Sequence, residues 1–236
     1  MEYKSLKSSH DIDEMYSVWE EMVRYACYPS NMDITDKYFN LLNEYYSNPR
    51  RTFSNWNLIQ NALDCLMQLS QSKFSIKNKD LLILSTLLAF THFDAYSCTG
   101  FEKSAYESLD ILDKLGLPSD DIKIIFSHIV SLNIPFDYDE NKNFSYHVFR
   151  DSCFYWLHSE TDVYRETIEC MKQESVVLGD TWFESRKMFI ISGLESECLM
   201  HTEGLGDQCY KHSVVQNNLL DELNSMPKYD QSFAAS

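Results

Sequence analysis

The chain has 236 residues, of which 44% are hydrophobic and 24% charged, the balance of a folded globular protein. Aromatic residues reach 14%, with 15 Tyr and 14 Phe, which excludes a disordered chain on composition. The formal net charge of −16 repels phosphate backbones and anionic lipid alike, so neither nucleic acid nor a membrane surface is expected as a partner.

Six glycines and five prolines leave little material for the tight turns of a β fold. Apolar residues recur instead at intervals of three and four. Met15, Val18, Trp19, Met22, Val23 and Ala26 form a first helical stripe, ended by Pro29. Tyr38, Leu41, Leu42 and Tyr45 form a second, entered through Asp33 or Thr35 and closed before Pro49. Ile59, Ala62, Leu63, Leu66 and Met67 form a third.

The run from Asp80 to Phe93 is apolar nearly all round, which predicts a central buried helix. A helix from Glu102 to Leu115 follows, with Gly116 placed as its C-terminal cap and Pro118 just beyond. Ser119 reads as the N-cap of a helix over Asp120–Leu132. A polar loop spans Pro135–Asn143, and helical patterns then cover Tyr146–His158, Asp162–Val177, Trp182–His201 and Gln208–Leu223. The tail after Pro227 is expected to fray. With no linker and no repeat, the expected fold class is all-α, a single multi-helix domain over residues 1–236 with its core at about 12–225.

The polar start Met1–Leu6 has no apolar signal-peptide core, and no segment approaches a membrane span. The seven cysteines (27, 65, 98, 153, 170, 198 and 209) are scattered and never spaced C-x-x-C, so buried free thiols in a reducing cytoplasm are expected.

The stretch Tyr46-Ser-Asn-Pro49-Arg-Arg51-Thr-Phe53-Ser54-Asn-Trp-Asn-Leu58-Ile59 fits the pattern Tyr-x-x-Pro-x-Arg-x-Tyr-His-x-x-x-His-Ile, with Ser54 and Leu58 where the histidines stand. Further on, Ala89-Phe-Thr-His92-Phe93-Asp94-Ala95-Tyr96 fits Ala-Trp-Phe-His-Asp-Ala-Val-Tyr, keeping His92 and placing Phe93 at the aspartate. Phe101-Glu102-Lys-Ser104-Ala105 and Phe149-Arg-Asp151-Ser-Cys153 fit two later motifs, with Asp151 kept and Cys153 at a second aspartate. Tyr164, Glu174, Trp182, Arg186 and Asn218–Leu223 also fall in register. In these motifs the chain resembles the HD-domain metal-dependent phosphohydrolases, over roughly residues 12 to 225.

The resemblance implies an HD-like helical bundle whose histidines and aspartates hold a divalent cation that activates water against a phosphate ester. Serine, leucine and phenylalanine supply no comparable ligands. One step along a helix turns a side chain by about 100°, so Asp94 does not point where the missing carboxylate did. The expected function is therefore that of a non-catalytic HD-domain relative, a module binding a protein or a nucleotide-like ligand, with no cofactor. The alternative is a divergent phosphohydrolase acting on a nucleotide or phosphomonoester. There His92, Asp94 and Asp151 would hold Mn, Mg or Zn, and Glu102 would act as acid-base group. In either case Arg51 and Arg186 are candidates to hold a phosphate by bidentate hydrogen bonds.

Other motifs weaken on their own chemistry. Asp137-x-Asp139-x-Asn141-x-Asn143 mimics a calcium loop but has Lys142 where that loop needs glycine and Val148 where it needs glutamate. His128, His147, His158, His201 and His212 show no paired metal spacing, and Cys98 near His92 lacks any further sign of a nucleophile.

Overall fold

The computed structural model describes residues 5, 7, 11–27, 32–70, 79–92, 100–133, 136, 144–196, 202 and 208–226. Phe93, Asp94, Cys98, the calcium-like stretch 137–143 and the tail after Pro227 lie outside them. Among the described residues all regular secondary structure is helical, with no strand, as the periodicity predicts.

The helices are α1 (Ile12–Ala26), α2 (Met32–Tyr46), α3 (Trp56–Ser70), α4 (Lys79–Leu88), α5 (Gly100–Leu115), α6 (Ser119–Val130), α7 (Phe144–Cys153), α8 (Thr161–Glu174), α9 (Asp180–Glu195) and α10 (Gln208–Ser225). α4 is the hub: it packs against α1, α3, α6 and α7, and every one of its residues from Leu81 to Leu88 is buried. That is the reason its sequence is apolar all round. The predicted stripes mark the inward faces, as with Met15, Trp19, Met22 and Val23 in α1, except that Met67, expected in the stripe of α3, is exposed near the end of that helix. Two polar groups carried into this interior fasten helices together. The Trp19 indole donates to the Thr35 carbonyl (3.0 Å) and the Tyr46 hydroxyl to the Leu87 carbonyl (2.8 Å), fastening α1 to α2 and α2 to α4.

Several boundaries differ from the sequence expectation. α4 ends at Leu88 rather than running to Phe93, and the chain turns through Ala89–Phe90. Ser119 is the first residue of α6 rather than its cap; Pro118 holds the cap position and makes no side-chain cap bond. The last turns expected of α7 and α8 tighten into 3-10 turns at Tyr155–His158 and Val176–Leu178. Gly116 does cap α5. Its φ of 85° lets its amide reach the Asp113 carbonyl (3.0 Å) and that of Leu117 reach Leu112 (3.0 Å), a Schellman closure that a side chain would strain.

Candidate functional site

The segment linking α2 to α3, residues 47–55, carries the first of the motifs, and the structure closes it by long-range contacts. Arg51 donates from Nη1 to the Phe90 carbonyl (2.7 Å) and from Nη2 to the Thr91 carbonyl (2.5 Å). These carbonyls lie just past the C-terminus of α4, where a buried helix end has acceptors without partners and a partial negative charge. A guanidinium answers both needs. Its plane sits 5.6 Å from the Tyr45 ring centroid and 5.9 Å from that of Tyr46, so its charge is also held between π faces.

Ser54 is buried, and its amide and that of Phe53 both donate to Glu174 Oε2, at 2.9 and 2.6 Å. Burial pushes the Glu174 carboxyl up, while the Ser54 and Phe53 donors pull it down. Thr52 Oγ1 adds a bond to the Cys170 carbonyl (2.7 Å), so α8 grips three consecutive residues of the segment. Leu58, the other position where the motif has a histidine, is fully enclosed in the apolar core.

His92 follows the turn after α4. Its amide donates to Ser104 Oγ (3.0 Å), and its Nε2 lies 3.2 Å from Glu107 Oε2, both partners being on α5. The second Glu107 oxygen accepts from the Tyr45 hydroxyl at 2.7 Å. Burial and this carboxylate push the Tyr45 phenol up to about 12. The imidazole is 41% exposed, so the trio is a solvent-reachable histidine oriented by a fixed carboxylate. Glu107 was invisible to motif reading. The available signal was its spacing of three from Ser104, which puts both on one face of α5. Glu102 is exposed in the first turn of that helix.

Asp151 on α7 is buried and accepts from the Thr202 amide (2.7 Å). Cys153, two residues on, is fully buried, and burial with a lesser push from Cys65 keeps its thiol protonated. Among the described residues Cys27, Cys65 and Cys170 are likewise buried.

Of the residues in register at the C-terminal end, Tyr164, Arg186 and Glu222 meet in space. Arg186 on α9 donates from Nε and Nη2 to the two carboxylate oxygens of Glu222 on α10, both at 2.8 Å. The Tyr164 hydroxyl donates to Glu222 Oε2 and receives Arg186 Nη2 at 3.1 Å. The guanidinium lies 4.5 Å from the Phe189 ring centroid and 5.2 Å from that of Trp156. Asn218 donates to the Leu157 and Ser159 carbonyls (3.2 and 3.0 Å). An anion-holding role was expected of Arg51 and Arg186. The fork of Arg51, half-buried, is instead closed by two carbonyls and that of Arg186, buried, by a carboxylate, because each stands where an unmet acceptor needs its donors.

Of the three candidate metal ligands, His92 is paired with Glu107, Asp151 receives an amide, and Asp94 lies outside the described residues. Among the described residues no group of three or more His, Cys, Asp or Glu side chains is placed to hold a metal ion, and no helix is long and apolar enough to cross a membrane. Comparison of the chain with protein-family models, with curated proteins and with solved structures finds no match.

Proposed function

We propose that this chain is a non-catalytic relative of the HD-domain phosphohydrolases that works by binding rather than by hydrolysis. The observation that carries the reading is Leu58. At a position where the resembled family has a metal-ligand histidine, it is sealed in the core with no solvent contact. A water-activating metal needs ligands that face a wet cavity, and an isobutyl group closed off from solvent offers neither donor nor space. Ser54 supports the same reading, since its backbone is turned toward Glu174 to hold the α2–α3 segment in place.

The experiment is calorimetric titration of the chelator-stripped protein with manganese, magnesium and zinc, followed by assay of phosphate release from nucleotides and p-nitrophenyl phosphate. The expected result is no stoichiometric metal binding and no metal-dependent phosphate release. Micromolar one-to-one binding that disappears in His92→Ala and in Asp151→Ala would overturn the reading in favour of a rebuilt hydrolase site.

A further inference from the structure

We infer that the groove between α1, the C-terminal half of α3 and the start of α4 docks a basic amphipathic helix of a partner protein; this deepens the binding reading above and rests on it. The groove has a volume of about 510 Å³, within the range of about 300–1,000 Å³ typical of binding sites. Met15, Met22, Leu63 and Ile83 form its apolar floor, each less than 8% exposed. At its edges stand two large apolar side chains that are exposed, Tyr25 at 67% and Met67 at 37%. Methionines in floor and lip can reshape around an incoming side chain, and an exposed tyrosine supplies contact area with few rotatable bonds.

The charge around this apolar strip fixes the kind of partner. Glu14, Glu21, Asp64 and Asp80 line the groove and are exposed, against Lys79 as the one basic residue among the described lining residues. Lysines and arginines beside an apolar helix face would meet these carboxylates, which speeds encounter and sets register. A second copy of the chain, with its own charge of −16, would be repelled.

The shape fixes the form. Along α1 the lining positions Glu14, Val18, Met22 and Tyr25 follow helical spacing over eleven residues, about 16 Å of continuous wall. An amphipathic helix laid into such a wall engages it through i, i+4 and i+7 anchors. Across the groove Gln60 on α3 donates through Nε2 to Glu14 Oε2 (3.0 Å), which ties α3 to this wall.

The test uses the full chain and two synthetic probes of one amphipathic pattern, a leucine–lysine helix-forming peptide and its leucine–glutamate counterpart. Binding is followed by fluorescence anisotropy at low and raised salt. One-to-one binding of the lysine peptide alone is expected, weakening as salt rises. Two variants, Tyr25→Ala with Met67→Ala and Asp64→Asn with Asp80→Asn, should each weaken it about tenfold while circular dichroism stays native. The pair Glu169→Gln and Asp221→Asn, on the separate concavity between α8 and α10, should leave it unchanged.

Equal binding of both peptides would overturn the proposal. So would equal loss from the α8–α10 pair, or displacement by spermine with no dependence on Tyr25 and Met67. Such failure with metal calorimetry still silent removes the docking groove and leaves the binding reading standing. Metal binding lost in His92→Ala removes that reading itself.

Discussion

The guanidinium of Arg186 and the carboxylate of Glu222 meet fork to fork at 2.8 Å on both arms, side chains only 7% exposed, with the Tyr164 hydroxyl closing the set. Removing one member strands the other charge out of water. Glu222→Ala should cost roughly 3–5 kcal/mol of unfolding free energy. The double variant Arg186→Met, Glu222→Gln keeps an acceptor for Tyr164 and removes both charges, so it should lie nearer the parent than Glu222→Ala does. Urea unfolding of the three proteins checks this; a double variant less stable than Glu222→Ala would mean that the charges themselves hold α9 to α10.

Glu174 gives a second contrast. Glu174→Ala leaves the Phe53 and Ser54 amides without their acceptor and should cost roughly 2–4 kcal/mol. Glu174→Gln keeps a carbonyl oxygen for both amides and relieves the burial of charge, so it should fall within about 1 kcal/mol of the parent. Thermal unfolding of the two variants decides between them, and equal losses would place the effect in the charge rather than in the amides.

His128 links stability to pH. It is buried beneath α4, stacks on Phe149 at 5.3 Å between ring centroids and has Nδ1 3.0 Å from Ser85 Oγ. The Ser85 hydroxyl donates to the Leu81 carbonyl (2.7 Å), so Ser85 Oγ accepts and the neutral imidazole carries its proton on Nδ1. Burial lowers this histidine from 6.5 to about 4. The unfolded chain therefore binds the extra proton between these values and the folded chain does not. Stability should decline as pH falls from 6.5 to about 4, by about 3 kcal/mol, and change no further from this group below that. His128→Gln should show a flatter curve across this window in urea titrations; an unchanged slope would assign the acid sensitivity to the carboxylates.

The helices were legible because burial imposes its period on the residue order: Met15, Trp19, Met22 and Val23 had only one face on which to lie. The end of α4 was not, because the donor that fixes it, Arg51, stands 39 residues earlier. The same holds for Arg186, whose residue type suggests an anion but whose partner Glu222 is 36 residues away on another helix. At the candidate site, motif register picked out Arg51, His92 and Arg186 as residues with chemistry to perform, and Tyr164 and Glu174 as positions in pattern. It could not say which acceptor each would meet, since that depends on packing between helices. The groove of α1 and α3 carries no motif at all and emerges only when their Met, Tyr and carboxylate positions are set side by side.

The α2–α3 segment is closed from both directions: Arg51 reaches α4, and Glu174, more than a hundred residues later, reaches back to Phe53 and Ser54. During synthesis the first contact becomes available once α4 has left the ribosome, but the second waits for α8. Loop-closure entropy for so distant a pair is met only when the later helices already have a surface to settle on. The N-terminal half thus emerges with the Phe53 and Ser54 amides still unmatched, and the last strap on that corner of the molecule is fastened by its C-terminal half.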